Sequence, residues 1–161
     1  MENFDWTSFT RKIAVKAPVS EVYRAWTTVS GIEPWFLQTA AFFTADGTAT
    51  THAQKGNTYE WTWFLYDHAE HGSITESNGV DFLQFTFAGK CLVDIQLSAD
   101  GEYTIVQLTQ KNIPTDDASK RDIRLGCHTG WSFYLVNLKS VLEGGADLRN
   151  KDERLAPMVN N

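Results

Sequence analysis

Residues Thr115–Gly145 read TDDASKRDIRLGCHTGWSFYLVNLKSVLEGG. Pro114 prevents an earlier helix from continuing into this stretch, and Thr115 is suited to cap a new one. The two aspartates that follow place negative charge at the positive end of the helix dipole. The glycine pair at 144–145 ends the helix, because glycine adopts the left-handed C-terminal conformation at little cost. The sequence therefore predicts one helix about 40 Å long, enough to cross a small domain.

One face of this helix is apolar at helical spacing. Its stripe comprises Ile123, Cys127, Trp131, Tyr134, Leu135, Leu138, Val141 and Leu142. Beside the stripe lie Gly126 and Gly130, and each glycine costs about 1 kcal/mol relative to alanine inside a helix. Two interpretations stay open. Either a neighbouring backbone approaches closely, or the missing side chains leave room for a ligand beside Trp131.

The rest of the chain predicts a sheet that covers the stripe. Alternating or β-rich segments predict seven strands: Phe9–Val15, Thr39–Thr44, Tyr59–Tyr66, His71–Ser77, Asp81–Phe87, Cys91–Leu97 and Tyr103–Asn112. A helix opens at Pro18 and ends at Gly31, followed by a short helical turn at Ile32–Phe36. Asp46–Asn57 is predicted to be a loop. We expect an α+β fold in which a seven-stranded antiparallel sheet wraps the long helix, with residues 1–145 as one domain and 146–161 as an irregular polar tail.

Composition and charge exclude several classes of partner. The hydrophobic content of 42% is typical of a globular protein, and the net charge of −6 argues against nucleic acid and against anionic membranes. No apolar run has the length of a membrane span, and the N-terminus lacks the features of a signal peptide. The expected location is therefore the cytoplasm, where Cys91 and Cys127 would be reduced core residues.

At this point the chain resembles a known family. The order of elements is similar to the helix-grip fold of the START-like (SRPBCC) superfamily. Four stretches resemble its branch of activator of heat-shock protein 90 ATPase homologues: APVSEVYRAWT (Ala17–Thr27), GIEPWF (Gly31–Phe36), DFLQFTF (Asp81–Phe87) and GWSFYLVNLKSVLEGG (Gly130–Gly145). The resemblance covers about residues 9–145. It implies the fold, whereas it leaves function open.

The candidate site is aromatic. Six residues form the main signal, either as a tightly packed core or as the walls of a ligand cavity: Trp35, Trp61, Trp63, Phe85, Trp131 and Tyr134. Leu135 and Leu138 complete the predicted ligand-binding set. His128, at the edge of the stripe, is either a flanking hydrogen-bonded residue or a polar handle that orients the ligand.

No catalytic or metal site is predicted. His68 and His71 fall in a predicted turn, where a spacing of three residues does not guarantee that both rings reach one metal ion. No nucleophile–base pair can be assembled, and no cofactor is expected. Leu125, Phe133 and Val136 point away from the stripe, where either the tail or a second copy in a homodimer would cover them.

The leading hypothesis is a non-catalytic domain that holds an apolar or amphipathic small molecule between sheet and helix. The family resemblance alone motivates a second hypothesis, a co-chaperone-like module that binds a chaperone or another protein. A third is a cyclase- or hydrolase-type enzyme of the superfamily, which would require an acidic or hydroxyl partner for His128.

Overall fold

One antiparallel sheet of eight strands forms most of this computed structural model, which describes residues 4–160. The strands are β1 (Phe9–Val15), β2 (Thr39–Phe43), β3 (Ala49–Thr50), β4 (Thr58–Thr62), β5 (Glu70–Ser77), β6 (Phe82–Phe87), β7 (Cys91–Asp100) and β8 (Tyr103–Lys111). Their order across the sheet is β1-β8-β7-β6-β5-β4-β2-β3. The predicted α+β helix-grip fold is confirmed. The additional strand, β3, lies inside the predicted loop Asp46–Asn57.

The helices fall into two groups in sequence, one between β1 and β2 and the other after β8. They are α1 (Val19–Thr27), α2 (Val29–Ile32), α3 (Asp117–Ser119), a π-helical segment (Lys120–Leu125) and α4 (Gly126–Leu142), with a 3₁₀ turn at Glu153–Leu155. Helix α3, the π-helical segment and α4 follow one another without a break, so the predicted long helix is confirmed at 117–142. Its cap is Asp116 rather than Thr115, because the Asp116 carboxylate accepts a hydrogen bond from the Ser119 N–H at 3.0 Å.

Helix α4 packs its predicted stripe against the inner face of the sheet. Trp131, Leu135 and Leu138 are buried, and the other members of the stripe are half-buried against the same core. Antiparallel partners in register point to the same face, so the pairs Tyr59–Gly72 and Trp61–Glu70 both face the helix. This geometry places Glu70 on the inner face, although its neighbours there are apolar.

Strand β4 is shorter than predicted. The sequence indicated a strand over Tyr59–Tyr66, whereas pairing with β2 stops at Thr62 and pairing with β5 stops at Trp61. Beyond this point the chain has no strand partner, and Leu65 adopts a positive φ of 66°. Residues 63–69 therefore lie outside the sheet, so Trp63 is not a strand residue as the sequence had predicted.

The C-terminal tail is irregular apart from its 3₁₀ turn, but it is fastened to the domain. Buried Asn137 of α4 donates to the Trp35 carbonyl at 2.7 Å and accepts from the Leu148 N–H at 2.7 Å. Arg149 donates to the carbonyls of Leu37 and Pro34, each at 2.9 Å. None of the helices within residues 4–160 has the length and apolar character needed to cross a membrane.

Candidate functional site

A cavity of about 330 Å³ lies between the first half of α4 and the inner face of the sheet. Its walls come from the helix, from strands β5 and β6, from the segment 63–69 and from the turn after α2. The lining residues are Phe36, Trp63, Tyr66, His68, Ala69, Glu70, Phe87, Asp122, Gly126, Cys127, Gly130, Trp131 and Tyr134. Its volume is at the lower end of the range for small-molecule sites, which begins at roughly 300 Å³.

Phe36 is the centre of the aromatic wall. Its ring stacks on Trp131 with centroids 5.1 Å apart and meets Tyr134 edge-on at 4.9 Å. Trp63 contacts Phe36 edge-on at 5.4 Å, and Phe87 lies 5.1 Å from Trp131. Such offset and edge-on contacts are the favoured arrangements of aromatic rings. The rings therefore hold one another in place and present both faces and edges to the cavity.

A buried hydrogen bond fixes the orientation of Trp131. Its indole N–H donates to the Gln110 side-chain oxygen at 2.9 Å, and Gln110 is fully buried on β8. The Gln110 amide nitrogen has no hydrogen-bond partner among the described residues. Rotating the indole away would leave a buried oxygen unpaired, so this hydrogen bond favours the observed orientation of the Trp131 ring.

The glycine pair opens the helix side of the cavity. A Cβ atom at Gly130 would find no heavy atom within 4 Å apart from its own helical backbone, and one at Gly126 would meet only the Arg121 carbonyl oxygen at 3.8 Å. Close approach of a neighbouring backbone is therefore the wrong interpretation of the pair. The absent side chains leave space, and both glycines border the cavity beside Trp131.

Two carboxylates face this aromatic space. Glu70 is half-buried, and one of its oxygens accepts a hydrogen bond from the Ala88 N–H at 2.8 Å. Asp122 is exposed at the rim and pairs with Arg121 at 2.7 Å, which lowers the pKa of Asp122. Among the described residues, the lining contains no Lys or Arg, and its one titratable nitrogen group is the exposed imidazole of His68.

Burial favours the neutral form of two further groups of the lining, Cys127 and Tyr134. It raises the pKa of the Cys127 thiol to about 11, so the thiol is protonated at neutral pH. Burial also raises the pKa of the Tyr134 hydroxyl above its ordinary value. Since a thiolate is the nucleophilic form of cysteine, Cys127 lacks the activation that nucleophilic catalysis needs.

The structure separates the predicted ligand-binding residues into two groups. Trp63, Trp131 and Tyr134 line the cavity. The other apolar members form the packed core behind it, where each is at most 2% exposed: Trp35, Trp61, Phe85, Leu135 and Leu138. Trp35 is held there by a hydrogen bond from its indole N–H to the Ala25 carbonyl at 2.9 Å.

His128 lies outside the cavity lining. Its ring meets Phe9 of β1 edge-on at 5.2 Å, on the side of the helix away from Trp63. Partial burial and the nearby charges of Arg11 and Arg124 lower the pKa of His128. No acidic or hydroxyl partner to its ring occurs within residues 4–160, so the acid–base pair required by the enzyme hypothesis is not found there.

The other residues that the sequence singled out, the histidine pair and the outward-facing apolar residues of the long helix, lie at the surface. His71 lies on β5 and pairs with Glu60 at 2.9 Å, away from His68, and no cluster of metal-ligating side chains occurs among residues 4–160. On the outer face of the long helix 117–142, Leu125 and Val136 are each 50% exposed, so the tail does not cover them. The predicted homodimer contact there stays a prediction.

Sequence reasoning missed several residues of the lining, above all Phe36, Phe87 and Glu70. The two phenylalanines stood in the quoted GIEPWF and DFLQFTF stretches, so a signal for them existed. Glu70 had none, since the predicted strand began one residue later and its register with Trp61 was unknown.

Comparisons with known proteins match the architecture. A family model described as Activator of Hsp90 ATPase homolog 1-like protein matches residues 16–143. A solved protein of Staphylococcus saprophyticus is 23% identical with a TM-score of 0.72, over 88% of this chain and 96% of its own. The Aha1 dimer from Colwellia psychrerythraea is 22% identical with a TM-score of 0.67, over 86% and 97%.

A further solved structure, CalU16 from Micromonospora echinospora, is 19% identical with a TM-score of 0.62, over 85% of this chain and 76% of its own. At such identities the likeness to these structures establishes the fold alone. A comparison with curated protein sequences found no match to the chain.

Proposed function

Since the chain belongs to the family of Activator of Hsp90 ATPase homolog 1-like proteins, we propose that it uses the space between sheet and helix α4 to bind a small apolar or amphipathic molecule. The binding is non-catalytic and takes place in the cytoplasm. Family membership supports a domain of this architecture, and the argument for a ligand rests on the cavity itself.

The observation that carries the proposal is the glycine pair beside an aromatic wall. Glycine inside a helix is destabilising, and no side chain beyond the adjacent residues lies within 4 Å of the position that a Cβ atom would take at Gly126 or Gly130. A closed core would be expected to fill that space with side chains, because protein interiors are close-packed. Space of about 330 Å³ lined by rings is instead the form of a ligand site.

Catalysis is not part of the proposal. The Cys127 thiol is protonated at neutral pH, and His128 contacts Phe9 rather than the cavity. The co-chaperone-like module stays a prediction drawn from the resemblance, and recovery of a chaperone with the native protein in a pull-down is its measurement.

The test fills the cavity from the helix side. The variant Gly130→Leu places an isobutyl group in the open space, whereas Thr129→Leu places the same group one residue away on the exposed face of the helix. The probe is N-phenyl-1-naphthylamine, a neutral dye that fluoresces in apolar sites. We expect saturable binding to the wild type and to Thr129→Leu, and at least about tenfold weaker binding to Gly130→Leu.

Equal binding of the dye by Gly130→Leu and the wild type would show that the cavity is not the site. Equal loss in both leucine variants would mean that the helix, rather than the cavity, was disturbed. Native mass spectrometry of wild-type protein exposed to cell extract then identifies the natural ligand, with Gly130→Leu as the negative control.

A further inference from the structure

We infer that the ligand of this cavity carries a positively charged nitrogen on an aromatic or aliphatic body, as in a protonated tertiary amine or a quaternary ammonium compound. The inference rests on the proposed function and adds the chemical class of the ligand. Three observations carry it: the ring surfaces, the pairing of Glu70, and the sign of the charges in the lining.

The ring surfaces favour a cation over a neutral polar group. Trp63, Phe87, Trp131 and Tyr134 border one space, and Phe36 holds three of them through ring contacts of 4.9–5.4 Å. Aromatic faces carry negative quadrupole charge and attract an ammonium group within about 6 Å, most strongly where water is excluded. Several rings around one space are the usual arrangement for recognising quaternary ammonium groups.

Glu70 provides the counter-charge at the sheet side of the space. The residue is half-buried, on the inner face opposite Trp61. The Ala88 N–H occupies its Oε1, whereas its Oε2 has no hydrogen-bond or ion-pair partner among the described residues. A carboxylate that is partly removed from water is stabilised by an opposite charge, and a ligand ammonium would supply it.

The remaining charges exclude the opposite ligand class. The lining residues with a full formal charge at neutral pH are Glu70 and Asp122, and Asp122 is already paired with Arg121 at the rim. Neither Lys nor Arg from residues 4–160 borders the space, so the carboxylate of a fatty acid or bile acid would be buried without a partner. Anionic apolar ligands are therefore disfavoured relative to cationic ones.

The test compares three probes that share a naphthalene body and differ in the charge of the head group. They are (2-naphthylmethyl)trimethylammonium, 2-(2-naphthyl)ethanol and 2-naphthylacetate, each titrated into the full-length protein by isothermal calorimetry. For the wild type we expect the cation to bind about tenfold more tightly than the alcohol, with the anion weakest. If the alcohol or the anion binds as tightly as the cation, the inference is overturned.

The variant Glu70→Gln removes the charge but keeps an oxygen that can accept from the Ala88 N–H. We expect it to weaken binding of the cation about fivefold or more and to change binding of the alcohol by less than about twofold. The matched control is Glu60→Gln, which removes an equal charge from the exposed neighbour of His71 on the outer face of β4. It should leave the preference for the cation unchanged.

The possible outcomes separate this inference from the proposed function. If the alcohol binds and the cation does not, the cavity is a ligand site and the assigned charge is wrong. If none of the three probes and no dye binds, both proposals fail together. A cation preference that survives in Glu70→Gln would overturn the role given to this carboxylate.

Discussion

The core along α4 contains the same kinds of aromatic residue at both ends, yet one end is solid and the other is hollow. At the packed end, Trp26 and Trp35 meet edge-on with centroids 4.6 Å apart, and Trp35 is inaccessible to solvent. At the open end, Trp63, Phe87 and Tyr134 are half-buried around about 330 Å³ of space.

The difference lies in one row of the helix. Residues four apart stand above one another on a helix, and here that row reads Gly126, Gly130, Tyr134 and Leu138. Leu138 is fully buried at the packed end, whereas the two glycines contribute no side chain at the open end. The number of aromatic rings therefore does not distinguish a core from a cavity, but the side chains opposite them do.

The largest expected effect comes from deleting a ring at the packed end. The variant Trp35→Ala removes a fully buried indole and its hydrogen bond to the Ala25 carbonyl, so we expect it to lower the free energy of unfolding by about 3–5 kcal/mol. Urea unfolding followed by circular dichroism measures this loss.

The matched change at the open end is Trp63→Ala. Because Trp63 already borders space and is half-buried, its deletion should cost less than half as much as that of Trp35. Equal losses from the two variants would mean that the open end is packed as tightly as the other, and the comparison would break.

Hydrogen bonds also attach the C-terminal tail to the packed end of α4. Asp147 of the tail accepts from the Asn137 side chain at 3.0 Å and pairs with Arg149 at 2.8 Å and Lys151 at 3.0 Å. Partial burial opposes ionisation of this carboxyl, but the hydrogen bonds and charges of its partners outweigh burial and lower the pKa of Asp147.

Removing the charge of Asp147 should therefore destabilise the protein in a pH-dependent way. At pH 7 we expect Asp147→Asn to cost about 1–3 kcal/mol. A carboxyl with a lowered pKa contributes its full stability above the ordinary value of about 3.9 and loses it as the pH falls further. The wild type and the variant should thus differ by a constant amount above about pH 5 and converge in acid.

Urea unfolding between pH 7 and the acid limit of the folded state measures that difference. Asp100→Asn, at the exposed end of β7, is the control and should follow the wild type throughout. A difference for Asp147→Asn that grows in acid would contradict the assigned direction.

Much of the fold was predictable because its signals are local. Pro114 and Gly144 mark the limits of the long helix, and alternation of apolar residues marks the strands that pair along their whole length. The end of β4 was not predictable, because Trp63 and Tyr66 have high β-propensity, whereas pairing with β2 stops at Thr62 and pairing with β5 stops at Trp61. A strand ends where its partners end, and that information is not local.

The site was predictable only in part for a similar reason. The glycine pair and Trp131 were visible as helix positions, so the helix wall could be anticipated. Whether Trp35 or Phe36 faced the space depended on the rotation of the turn after α2, and Glu70 joined the wall through cross-strand register. Both are set by tertiary packing rather than by composition.

The smallest expected effect tests the hollow end most directly. Gly130→Ala adds one methyl group where no heavy atom lies within 4 Å, so helix propensity alone should raise the free energy of unfolding by about 0.5–1 kcal/mol. Gly72→Ala on β5 is the contrast, because its Cβ would lie 2.5 Å from the Tyr59 ring and should destabilise the sheet. Thermal unfolding of both variants measures the two signs. If Gly130→Ala is destabilising as well, the helix is tightly packed at position 130, and the two glycines do not explain the hollow end. If Gly130→Ala is stabilising, the chain has kept a glycine there at a cost in stability, as expected of a position reserved for a ligand.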